Sequence, residues 1–135
     1  ELAQACQAQG LHIGKDDADL TAARQQLGTK AIIGVSCYND FARAQSMQNQ
    51  GADYVAFGRF FPSHTKPNAP QADLETLRQA KQLLQIPVVA IGGVKADNAS
   101  HLIEAGADSV AVIHGVFAQN DIRQAATDIT TLFKV

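Results

Sequence analysis

Short apolar, β-branched runs alternate with amphipathic stretches along almost the whole chain. The runs are LHIG (11–14), AIIGVS (31–36), YVAFG (54–58), PVVAIGG (87–93) and SVAVIHG (109–115). Most are continuously apolar, which is the pattern of strands buried on both faces of a parallel sheet. The stretches between them predict helices with legible ends. Asp40 caps one whose apolar face is Phe41, Ala44 and Met47 and whose stop is Gly51. Asp73 caps the next, with Leu74, Leu77, Ala80 and Leu84 inward and Pro87 beyond its end. Asp97 caps a third, with Leu102 and Ile103 inward and Gly106 as its stop. A last helix covers about 122 to 133.

An internal repeat supports this order. GADYVAFG (51–58) and GADSVAVIHG (106–115) share a Gly-Ala-Asp entry into an apolar strand. The chain therefore predicts one α/β domain over 1–135 made of five βα units. Two architectures fit these units: an open five-stranded sheet, or part of a (β/α)8 barrel, whose full form needs eight strands and about 200–250 residues. Periodicity alone does not separate them.

Composition narrows the partners. An apolar content of 46%, a charged content of 18% and a net charge of −2 fit a globular domain rather than a disordered segment or a basic nucleic-acid binder. No apolar run reaches the roughly 18 residues of a membrane span. The N-terminal ELAQACQAQG lacks the basic-then-apolar order of a signal peptide. Cys6 and Cys37 have no CxxC spacing and read as reduced thiols of a cytoplasmic protein.

In either architecture the functional face lies at the carboxyl ends of the strands. The segments that follow the strands are GKDD (14–17), SCYN (36–39), GRFFPSHTK (58–66), GGVKADN (92–98) and HGVF (114–117). They are rich in glycine, hydroxyls and charge. Gly92-Gly93 lets backbone amides approach a phosphate, although such a pair serves equally to turn a strand. Lys66 beside Ser63 and Thr65, in a loop restrained by Pro62, Pro67 and Pro70, suits diphosphate recognition or a solvated loop. Asp16 and Asp17 are hard oxygen donors of the kind Mg2+ takes alongside substrate phosphates, or helix N-terminal acids. His12, His64, His101 and His114 have no zinc-ligand spacing and read as polar packing residues.

Taken in order, LHIGKDD, IIGVS, GADYVAFGRFFPSHTK, PVVAIGGV and GADSVAVI resemble the thiamine-phosphate synthase family of (β/α)8 barrels. The resemblance covers the last two-thirds of such a barrel, which implies an incomplete TIM barrel of about five strands with the first strands missing. It implies joining of hydroxymethylpyrimidine diphosphate to thiazole phosphate, with release of pyrophosphate and with Mg2+ as cofactor. By position, Asp17 is the Mg2+ ligand. Ser36 and Lys66 contact the pyrimidine diphosphate, and Lys66 is the catalytic residue. Ser63, His64, Thr65, Gly93, Ile113 and His114 line the thiazole-phosphate site.

The sequence departs from the family at Lys15-Asp16 for Gln-Glu, Ser63 for threonine and His114 for serine. Residues 1–135 contain no match to the family's Gln-x-Arg-x-Lys diphosphate segment or its Asn-Asp pair. The expectation is a fragment that is weak or inactive alone and that self-associates through exposed barrel edges. Two alternatives are a non-catalytic phosphate-binding partial barrel and a thiazole tautomerase, whose histidine follows the second visible strand, where this chain has Ser36-Cys37-Tyr38-Asn39 without histidine.

Overall fold

Strand order separates the two architectures that periodicity leaves open. In the computed structural model, which describes residues 2–17, 19–62 and 70–133, five strands form one parallel sheet. They are β1 (Gly10–Ile13), β2 (Ile32–Tyr38), β3 (Tyr54–Phe57), β4 (Val88–Ile91) and β5 (Ser109–Ala111), in the spatial order β1-β2-β3-β4-β5. A doubly wound sheet reverses its order at a switch point and so covers both faces with helices. Sequential order with right-handed crossovers instead keeps every helix on one face, which is the winding of a (β/α)8 barrel. The chain is a five-stranded arc of such a barrel.

The helices are α1 (Leu2–Ala5), α2 (Leu20–Leu27), α3 (Phe41–Asn49), α4 (Leu74–Leu83), α5 (Ala99–Glu104), α6 (His114–Phe117) and α7 (Ile122–Thr131). Parallel register carries one apolar row across four strands: Ile13, Val35, Val55 and Val88 are mutual partners, and none is more than 4% exposed. This face joins a core with Leu20 and Ala23 of α2, Ala44 of α3, Leu77 and Ala80 of α4, and Ala99 and Leu102 of α5. The opposite face carries the row His12, Gly34 and Tyr54 and, one step along, Ser36, Ala56, Val89 and Ser109. That second face is the concave interior of the arc.

Asp40 and Asp73 cap α3 and α4 as expected, accepting hydrogen bonds from Arg43 N and Glu75 N at 2.9 Å each. Asp97 does not cap α5. Asn98 occupies the cap position, and its side chain is used elsewhere, donating to Gly93 O and accepting from Lys95 N. The HGVF segment after β5 coils into α6, a turn that its glycine-containing sequence does not announce.

The Gly-Ala-Asp repeat has a physical cause. Asp53 N donates to Ile33 O at 2.9 Å while Asp53 Oδ2 accepts from Ile33 N at 2.7 Å. Asp108 makes the same two bonds with Val88, at 2.8 and 2.9 Å. Each aspartate thus satisfies both polar groups at the start of the preceding strand, and each pairs with a cation of a helix: Arg24 at 2.6 Å for Asp53 and Lys81 at 2.6 Å for Asp108. These clamps sit at the amino ends of the strands, away from the site.

Candidate phosphate-binding site

The carboxyl ends of the strands enclose a cavity of about 750 Å3 on the concave side. Its floor comes from β1 to β3. Ser36 is 8% exposed, and its carbonyl accepts a hydrogen bond from Arg43 Nε of α3 at 3.0 Å. Beyond Ser36 the β2–β3 register slips between Ser36 and Tyr38, and Tyr38 adopts φ 57°; this bulge turns Tyr38 toward the cavity. Ser36 Oγ lies 2.8 Å from Nε2 of His12, whose Nδ1 lies 3.0 Å from Tyr54 Oη. The His12 and Tyr54 rings are stacked at 5.6 Å.

The upper wall is the glycine loop after β4. Gly92 and Gly93 have φ of 90° and 69°, a region that glycine enters at no steric cost. A side chain at Gly93 would collide with Pro62 O and Phe61. Asn98 bridges the loop, donating to Gly93 O at 3.1 Å and accepting from Lys95 N at 2.9 Å. The backbone after β3 runs alongside, with Phe60 N on Ile91 O at 3.2 Å and Phe61 N on Gly92 O at 3.1 Å. Arg59 closes the base of the following loop, donating to Pro70 O and accepting from Ala72 N. Gly115 abuts Val94 O so closely that a Cβ there would clash, which brings the end of β5 against the glycine loop.

Of the residues the sequence singles out, Ser36, Gly93, Ile113 and His114 all line this one cavity. Asp17 is not among the lining residues. It sits in the loop after β1, where its Oδ2 accepts from Gly14 N at 2.7 Å. Ser63, His64, Thr65 and Lys66 lie outside the described residues. His12, Tyr54, Arg59, Lys95 and Asn98 also line it, none of them a candidate site residue by sequence. The register would have found two of them, since it sets His12, Gly34 and Tyr54 in one row next to Ser36. Arg59 and Lys95 place two cations around the cavity, so its field favours an anion. Burial raises the Tyr54 phenol above its usual pKa, so its proton is retained. Cys37 faces away from the cavity into the helix-side core, where burial pushes its thiol up to about 12.

Among the described residues no group of three or more His, Cys, Asp or Glu side chains converges as a metal site. Asp17, with Asp16 beside it in sequence, carries carboxylate oxygens of the kind that hold Mg2+ together with substrate phosphates and water.

A family model described as thiamine monophosphate synthase matches residues 1–116. The thiamine-phosphate synthase of Nitrosococcus oceani is 57% identical over 125 residues, which cover 93% of this chain and 58% of that protein. The enzyme of the same name from Methylococcus capsulatus is 50% identical over 132 residues, 98% of this chain and 59% of that protein. A solved thiamine phosphate pyrophosphorylase from Pyrococcus furiosus superposes with a TM-score of 0.87 at 34% identity, over 98% of this chain and 63% of that one. The chain thus spans about three-fifths of the length of the relatives it matches.

Proposed function

The chain belongs to the thiamine monophosphate synthase family, and from this we propose that it forms the substrate-binding arc of a thiamine-phosphate synthase site. The observation that carries the reading is the meeting of Ser36, the Gly92-Gly93 loop and the Ile113-His114 segment around one cavity with a cationic rim. These are the positions at which the family resemblance puts the two substrates.

In the proposed reaction the C–O bond of hydroxymethylpyrimidine diphosphate breaks and pyrophosphate leaves with the electron pair. The thiazole nitrogen then donates its lone pair to the resulting pyrimidinylmethyl cation, forming the C–N bond of thiamine phosphate. No protein nucleophile is required. The demands on the chain are positioning and stabilisation of the charge on the leaving group. Ser36 and Lys66 would hold the diphosphate, and Lys66 would compensate its growing charge. The glycine loop, Ile113 and His114 would hold the thiazole phosphate through backbone amides, with Ser63, His64 and Thr65 completing that subsite. The roles of residues 63–66 rest on the resemblance alone. Asp17 would hold Mg2+, which when bound neutralises diphosphate charge.

The outer edges of β1 and β5 have no strand partner among the described residues, which favours self-association. No described helix is long and apolar enough to cross a membrane, and a cytoplasmic setting is proposed on the reduced thiols alone.

Calorimetric titration of thiazole phosphate, with and without Mg2+, together with a pyrophosphate-release assay tests the function. Saturable binding with weak turnover is expected of this 135-residue chain, because it has no counterpart of the Gln-x-Arg-x-Lys segment. Absence of thiazole-phosphate binding both with and without Mg2+ would overturn the reading. Robust turnover would overturn the expectation of weakness.

A further inference from the structure

Ser36 is joined to two side chains whose order has a chemical consequence. Its Oγ stands 2.8 Å from His12 Nε2, and Tyr54 Oη stands 3.0 Å from His12 Nδ1. A neutral imidazole carries one N–H, so it donates to one of these hydroxyls and accepts from the other. The two directions are not equivalent. A phenol is far more acidic than an aliphatic hydroxyl and is the better donor to an imidazole nitrogen, and Tyr54 keeps its proton. The ring stacking at 5.6 Å and the absence of a side chain at Gly34, over which the Tyr54 ring lies, hold the phenol in place for that bond.

We propose that Tyr54 and His12 are positioning residues that make Ser36 a hydrogen-bond donor to an anionic ligand in the cavity. Tyr54 Oη–H donates to Nδ1, which keeps the imidazole proton on Nε2. Nε2–H then donates to Ser36 Oγ and occupies an acceptor lone pair. The Ser36 proton is thereby turned away from His12 and into the cavity. With the opposite polarity the Ser36 proton would be spent on His12, and its oxygen lone pairs would face the anion. No proton is transferred, and the relay acts only by fixing direction. The inference rests on the reading of the cavity as a diphosphate site, but the direction of the relay can be measured without any ligand.

Long-range 1H–15N correlation spectra of the full chain at about pH 8, where an ordinary imidazole is neutral, report the His12 tautomer directly. The Nε2–H form is expected, with a shift toward Nδ1–H in Tyr54→Phe. An Nδ1–H tautomer in the unmodified chain overturns the proposal. Titration with inorganic pyrophosphate gives the second readout. Tyr54→Phe and Ser36→Ala are each expected to weaken binding about tenfold, and the double variant no further, because both remove the same donor. Additive losses overturn the relay. If the Nε2–H tautomer is found but pyrophosphate does not bind the unmodified chain, the relay stands and the diphosphate reading of the cavity falls.

Discussion

Gly34 and Tyr54 are register partners on β2 and β3, and a Cβ at position 34 would collide with the Tyr54 phenol ring. The ring crosses this gap to reach His12 on β1, so one missing side chain lets three strands communicate on the concave face. Gly34→Ala is expected to cost about 1–3 kcal/mol of stability, as overpacked sites do. It should also abolish the near-ultraviolet dichroism of Tyr54. Unchanged unfolding midpoint and tyrosine signal would show that the ring is not confined.

The Asp53 clamp has a pH signature. Burial works to raise its carboxyl pKa, but hydrogen bonds from Ile33 N and Arg24 and the Arg24 charge outweigh this and hold it below 3.8. A depressed folded-state pKa gives stability that is fully present above the unfolded value and is lost as pH falls through the folded one. Urea midpoints of the unmodified chain and Asp53→Asn should therefore differ at neutral pH and converge progressively as the pH falls below 3.8. A constant gap across that range would contradict the clamp.

Thiol titration separates the two cysteines. Cys6 is exposed, whereas Cys37 is fully buried, and desolvation pushes its pKa up to about 12. The thiolate is the reactive form. One equivalent of a thiol reagent should be taken up by the native chain at pH 8 and two after denaturation. Rapid uptake of two by the native chain would mean that the helix-side core is open.

Much of this architecture was legible from period alone. Short apolar runs, most of them continuous, marked all five strands, and Asp40 and Asp73 marked helix starts because their caps are local hydrogen bonds. Asp97 misled because Asn98, one residue on, is committed to bracing the glycine loop, which a local capping rule does not weigh. The site was legible where backbone chemistry leaves a mark, as at Gly93, and where a motif carried it, as at Ser36. His12 and Tyr54 were not, since they are separated by 42 residues and meet only through strand register. Periodicity alone did not decide between open sheet and barrel; the ordered motifs of the family resemblance implied the barrel, and the sequential strand order agrees with it.

Asn98 offers a test of the glycine loop that leaves the sheet intact. Its side chain makes two bonds that hold Gly93 and Lys95 together. Asn98→Ala is expected to weaken thiazole-phosphate binding about tenfold, equivalent to ~1.4 kcal/mol, with a loss of stability of about 1 kcal/mol. Calorimetry and thermal melts check the two quantities separately. Undiminished affinity would mean that the loop does not need its brace.

On this reading the glycine loop and the end of β5 form one phosphate-binding wall. Amide chemical shifts recorded while thiazole phosphate is added to the 15N-labelled chain test it most directly. Saturable shifts concentrated on Gly92, Gly93, His114 and Gly115 are expected, with the amino-end clamps at Asp53 and Asp108 unmoved. Shifts that are absent, or that cluster away from this wall, would contradict it.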